Sequence, residues 1–158
     1  MWKSKRGAAN ATIVDSDNVL LLKPASMNDG FHAAPAHAGE GGIIGATSYY
    51  LGGVDAQAFA AFFDRSVRPR IEELGATPIA RLVTEEAPNN FPRLPVREHE
   101  RAFVWFARWP NVDAERVFAT RFAALSGWRD EAPESILPAL MRKPERLRLA
   151  PCAKSELR

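Results

Sequence analysis

The eight residues from Ala102 to Trp109, AFVWFARW, form an almost unbroken apolar run. A strand covered on one face alternates apolar and polar residues, so a run without that alternation must be buried on both faces. The chain enters it from Thr77–Glu85, TPIARLVTE, in which Ala80, Leu82 and Thr84 share one face and Ile79, Arg81, Val83 and Glu85 the other. Between the two runs, Ala87 to Glu100 carries Pro88, Pro92 and Pro95 with Asn89-Asn90. Residues before proline avoid the helical region, so this segment is expected to be an extended, irregular crossing and not a tight turn.

The flanking segments supply helices. Ala46–Leu51, ATSYYL, reads as a strand stopped by Gly52-Gly53, after which the Asp55 carboxylate can cap a helix. Phe59, Phe63, Val67, Ile71 and Leu74 then recur at helical spacing over residues 56–74, with Pro69 expected to kink the helix and Gly75 to end it. Pro110-Asn111 opens a second helix with Val117, Phe118, Phe122 and Leu125 as its stripe and Gly127 near its end. A short helical turn at Glu134–Met141 and a strand at Arg146–Ala150 complete the order β-α-β-β-α-β. This is the ferredoxin-like α+β pattern, in which both helices lie on one face of a four-stranded antiparallel sheet. Because Phe103, Val104, Trp105 and Phe106 cannot all be covered by helices on one side, a second copy is expected to close over the open face. The result would be a dimeric α+β barrel and a homodimer.

Ahead of that unit, Ala11–Val14 and Val19–Leu22 flank the polar quartet Asp15-Ser16-Asp17-Asn18, predicting a hairpin or a single bent strand. Ser26–Gly45 has the Gly/Ala/Pro composition of a linker. The chain therefore divides into an N-terminal strand or hairpin with its linker, residues 1–45, and an α+β domain, residues 46–158.

Composition closes off several functions. Formal net charge is only +2, from 21 basic and 19 acidic residues, and the basic residues are scattered, so no nucleic-acid or membrane surface is expected. A single cysteine, Cys152, rules out an internal disulfide and makes a thiolate zinc site improbable on ligand number. The basic start MWKSKRGAAN has no apolar run after it, as a signal peptide requires, and no window nears the roughly 18 to 20 apolar residues of a membrane span. A soluble, cytoplasmic protein is the expectation.

The run NNFPRLPVREHERAFVWFARWP, followed by a helix and LSGW, resembles the NIPSNAP family, as does the ending PERLRLAPCAKSELR. The resemblance covers about Ala46 to Arg158 and implies the dimeric α+β barrel. It carries no general reaction or catalytic residues onto this chain, and fold likeness to small haem-binding or oxidising barrels transfers no function. Trp2…DNVLLLKPA also looks like Trp128…PERLRLAPC, as though the N-terminus were the tail of a preceding tandem copy, or a chance likeness of two leucine strands. A true repeat would place residues 11–25 as an edge strand.

No Ser-His-Asp elbow, paired-carboxylate motif, metal triad or phosphate loop is present, and no cofactor is implied. The glycines Gly39, Gly41, Gly42 and Gly45 do not fit GxGxxG. Arg81 and Glu85, assigned to the barrel interior, offer either acid–base chemistry or a self-satisfied ion pair. Tyr49, Tyr50 and Trp105 can stack on a flat ligand or simply fill the core. Asn89, Asn90, Arg93 and Arg97 crown the crossing as a contact surface or as solvated polarity. His99 is the best single catalytic residue by position, although a charged strand entry favours exposure; His32 and His37 read as loop histidines. The leading function is a module that binds a small, partly apolar molecule or a protein partner. The rival is a cofactor-independent or haem-using, monooxygenase-like enzyme with Arg81, Glu85, Trp105 and a tyrosine in the barrel cavity. Convergence of those side chains on a closed pocket would favour the enzyme; a cavity filled by Phe and Trp would favour the binding module.

Overall fold

The computed structural model describes residues 19–32, 42–90, 93, 95–125, 127–152 and 155. Five strands, β1 (Leu22–Pro24), β2 (Ile43–Tyr50), β3 (Thr77–Thr84), β4 (Ala102–Trp109) and β5 (Glu145–Leu149), form one sheet in the order β1-β3-β4-β2-β5. Every neighbouring pair is antiparallel. β2 to β5 with their two helical connections make the ferredoxin-like βαββαβ unit, and β1 is an extra edge strand on β3. The first arm of the expected hairpin, residues 11–14, and His37 lie outside the described residues.

The first helical connection is α1 (Ala56–Phe62), a π-helical turn (Phe63–Val67) and α2 (Arg68–Glu73). Asp55 caps it as its position predicts, accepting from the Ala58 N–H at 2.8 Å. The break expected at Pro69 takes the form of that π turn. Proline has no N–H and its ring crowds the carbonyl four residues back, and widening the turn relieves both. Within it the Arg68 N–H reaches the Phe63 carbonyl, and the Ser66 carbonyl takes the Arg70 guanidinium. The second connection holds α3 (Val112–Ala124), capped by Asn111 at 2.8 Å from Ala114 N, then α4 (Gly127–Asp130) and α5 (Leu137–Met141).

The main core lies between the helices and one face of the sheet. Phe59, Phe63, Val67 and Ile71 meet Phe118, Phe122 and Trp128 over Tyr49, Val83, Phe103, Trp105 and Trp109. Each such side chain contributes about 1.5–3 kcal/mol by leaving water. Val117, expected in the stripe, is half exposed because it sits at the margin of the face that Phe118 and Phe122 define.

β4 is buried on both faces, as its sequence requires, but the chain itself covers part of the second face. Ala46, Tyr50, Ala102 and Val104 are buried there, with Leu20, Leu22 and Phe106 packed against them. The Phe31 ring stands edge-on to Phe106 at 4.8 Å. Leu147 and Leu149, opposite Ala46 and Ile44 on β5, stay 52% and 44% exposed.

Two sequence expectations need correction. β2 begins at Ile43, inside the segment read as linker. Gly45 is a strand residue because the Trp109 ring fills the place of its side chain: a Cβ there would lie 2.7 Å from Trp109 Cζ3. Gly45→Ala is therefore expected to cost about 1–3 kcal/mol through displacement of that buried ring, measurable by urea denaturation. The second correction is the facing of Arg81. Its guanidinium meets Asp64 of the π turn, so Arg81 lies on the helix side of β3 with Val83, not on the open face.

Candidate functional site

The crossing between β3 and β4 is where side chains of mixed chemistry gather. Leu21, Thr84, Glu85, Glu86, Ala87, Pro88, Asn89, Val96, Arg97, Glu98, His99 and Arg101 line a cleft of about 640 Å³. That volume suits a small organic molecule. Its placement follows from local structure. Residues 96–97 return to the N-terminal segment, where Val96 bridges Val19 and the Arg97 N–H donates to the Val19 carbonyl at 2.9 Å. Leu21 and Val96 supply an apolar wall, and the charged residues of the crossing form the rim.

Most of the rim charge is paired. Lys23 stands 3.2 Å from Glu85, whose carboxylate also accepts the Ala87 N–H at 2.9 Å. That backbone N–H and then Lys23 hold the Glu85 carboxyl below the usual carboxylate range. Arg101 meets Glu86 at 2.6 Å. Thr84 Oγ1 is occupied, donating to the Glu100 carbonyl and accepting the Ala102 N–H. His99 is exposed at the rim, as its charged neighbours predict. Arg93 is exposed in a turn of the crossing and does not line the cleft.

Next to the cleft, the Tyr50 hydroxyl donates to Glu145 at 2.5 Å, and Arg97 and Arg142 lie 5.3 and 4.2 Å from its ring centroid. Glu100 joins them, 3.1 Å from Arg142 and 3.6 Å from Arg97. Burial, followed by the bond to Glu145, raises the Tyr50 pKa.

The other sequence candidates are dispersed. Tyr49 is buried in the helix-side core, 5.2 Å from Phe59. Trp105, 1% exposed, packs against Phe63 and Phe118. Arg81 binds Asp29, 2.9 Å from its Nε, and also Asp64. Asp29 and Asp64 were not legible as partners, since one sits in the linker-like segment and the other on an exposed helical position. Glu145 and Arg142, which bracket Tyr50 from the far end of the chain, leave no local signal either. Among the described residues no cluster of three or more His, Cys, Asp or Glu can hold a metal ion, and no helix is long and apolar enough to cross a membrane.

The two tyrosines make a pH prediction. Burial pushes the Tyr49 phenol up to about 12, against the opposing charges of Arg146 and Arg129. The unfolded chain ionises its tyrosines near 10.0, and the folded chain keeps these protons, so stability is full below about pH 10 and falls as pH climbs toward 12. Ultraviolet difference titration should show little phenolate at pH 10; half-ionisation of both tyrosines there would contradict the packing.

No family model matches the chain, and no curated protein sequence does. Solved structures do match. An uncharacterised NIPSNAP-like domain protein from Burkholderia xenovorans shares 18% identity over 74% of this chain and 90% of its own, with a TM-score of 0.55. A NIPSNAP family protein from Agrobacterium tumefaciens, 17% identical over 80% of this chain and all of its own, gives a TM-score of 0.48. The shared architecture, reached here from the strand order β3-β4-β2-β5 and the two helical connections packed on one of its faces, is a NIPSNAP-like fold.

Proposed function

We propose that this protein is a homodimeric binding module that takes a small, partly apolar molecule in the cleft beneath the β3–β4 crossing. The observation that carries the reading is the separation of the two kinds of side chain. Of the aromatic residues that an enzymatic cavity would use, Tyr49 and Trp105 are spent in the packed core, and Tyr50 lies on the other face of the sheet with its hydroxyl bound by Glu145. The hydrogen-bonding residues of the crossing instead surround an open cleft with an apolar wall. Arg81, Glu85 and Trp105 do not converge on a closed pocket, which favours binding over the enzymatic alternative.

The ligand would place its apolar part against Leu21 and Val96 and its polar groups among Asn89, Glu98 and His99. Dimerisation through the open sheet face would cover Leu147 and Leu149 on β5 and the exposed Phe31 ring. Covering these apolar groups stabilises a dimer by removing them from water. Light scattering of the purified full chain at micromolar concentration is expected to give twice the 17.5 kDa chain mass, and a monomer mass would refute the dimer. Native mass spectrometry is expected to show a non-protein adduct that denaturation releases; a visible absorption band typical of haem would support the enzymatic rival instead.

A further inference from the structure

A second cleft, of about 570 Å³, opens on the helix side of the sheet edge, between the end of α3, α4 and the entry to β5. Phe122, Leu125 and Trp128 give it an apolar wall, and Arg129, Lys143 and Arg146 give it three positive charges. Phe122 and Trp128 are stacked, 5.8 Å between centroids and 14° apart in plane. Arg146 lies 5.7 Å from the Phe122 ring centroid and Arg129 5.2 Å from that of Trp128, so both guanidiniums are held against the aromatic wall.

Among the described residues no carboxylate pairs with Arg129, Lys143 or Arg146. The contrast with the next arginine on the same face of β5 is direct, since Arg148 is bound by Glu115 of α3. A pairing carboxylate is therefore within reach of this surface one step along the strand, yet the cleft itself has none in its lining. Three like charges around one concavity repel each other and raise the local potential for an anion, and an apolar floor beside them selects an anion with an apolar body. A bare inorganic anion would leave Leu125, 37% exposed, wet.

We infer that this cleft is a binding site for a small organic anion with a flat apolar body, of which an aromatic carboxylate is the simplest kind. The carboxylate takes Arg129, Lys143 and Arg146, and the ring system lies against Leu125, beside the buried Phe122–Trp128 stack. This site shares no lining residue with the cleft under the crossing.

The test is isothermal titration of the full chain with naphthalene-2-carboxylate at low ionic strength. Saturable one-to-one binding is expected, weakening with added salt. Arg129→Gln and Arg146→Gln should each weaken it by about tenfold, the weight of one charge-assisted contact. Leu125→Glu should abolish it. Arg116→Gln, which alters an exposed arginine paired with Asp113 on α3, should leave it unchanged. Ala87→Trp, which obstructs the crossing cleft, should also leave it unchanged, so failure here and failure of the crossing site are separable. All the replaced side chains are exposed, and an unaltered thermal melt confirms that each variant is folded. Absence of saturable heat overturns the inference. So does equal affinity of the folded Arg129→Gln/Arg146→Gln double variant, or equal affinity of the wild-type chain for uncharged 2-methylnaphthalene.

Discussion

Trp105→Ala is expected to destabilise the protein by about 4 kcal/mol, within the range for deleting a fully buried large aromatic side chain. Trp105 is 1% exposed at the centre of β4, and its ring lies 5.7 Å from Phe63 and 6.4 Å from Phe118. It therefore joins the sheet to both helical connections at once. The π turn and α3 are held by separate backbone ladders and cannot collapse together into the vacated space, so the cavity term adds to the lost transfer energy. A domain of this size has a total stability of about 5–15 kcal/mol, and the variant should lose a large part of it. Urea denaturation should show a lower midpoint with the slope unchanged. A loss under about 1 kcal/mol would mean that the site repacks and that β4 is not the centre of the core.

The second large effect is expected at Arg81. Its side chain is 14% exposed and that of Asp29 is 7% exposed, whereas its other partner, Asp64, is 44% exposed. Removing the guanidinium in Arg81→Met strands the Asp29 carboxylate in a nearly dry place. Breaking one partner of a buried pair typically costs 3–5 kcal/mol, and the solvated Asp64 arm adds little, so about 3 kcal/mol is expected. The loss should be local as well as global. Arg81 also makes backbone bonds to this segment, its N–H donating to the Asp29 carbonyl at 2.9 Å and its carbonyl accepting the Ala25 N–H at 3.0 Å. These bonds and the ion pair together fasten residues 25–29 and β1 to the sheet edge. Hydrogen exchange in Arg81→Met should accelerate over residues 22–29 before it changes in β4. Asp29→Asn combined with Arg81→Met should recover part of the stability, because no unpaired charge then remains. If the double variant is no better than Arg81→Met, the ion pair contributes by its attraction and not by avoiding a stranded charge.

The parts of this fold that the sequence made legible are those governed by local physics. β4 was expected over Ala102–Trp109 and runs over those residues, because its lack of alternation demands two covered faces. Asp55 was legible as a helix cap and Pro69 as the site of a helix irregularity for similarly local reasons. The order of elements then left few arrangements, and the ferredoxin-like sheet is the one adopted. What escaped were properties set by contacts distant in the chain. Alternation in β3 separates its two faces but does not orient them. Arg81 faces the helices because Asp64 and Asp29, 17 and 52 residues away, provide its countercharge there. Gly45 looked like linker until Trp109 was seen to occupy its side-chain space.

The candidate site divides in the same way. Asn89 and Arg97 were recognisable as a polar crossing and His99 as a charged strand entry, and all three line the cleft; Glu85, assigned with Arg81 to the barrel interior, lines it as well. Tyr49 and Trp105 were compatible with either a pocket or a core, and only their surroundings of Phe59, Phe63 and Phe118 decide for the core. Arg129, Lys143 and Arg146 are scattered through the last quarter of the chain among acidic neighbours, so the cleft they share with Trp128 has no sequence signature.

The central claim, that the ligand lies beneath the β3–β4 crossing, is tested most directly by comparing the native mass of the wild-type protein with that of Ala87→Trp. Ala87 is exposed and lines the cleft, and its backbone N–H to Glu85 does not depend on its side chain, so an indole there obstructs the cleft without entering the core. A dimer with an adduct is expected in the wild type and a dimer without it in Ala87→Trp. An adduct retained at wild-type occupancy in a folded Ala87→Trp dimer would contradict it.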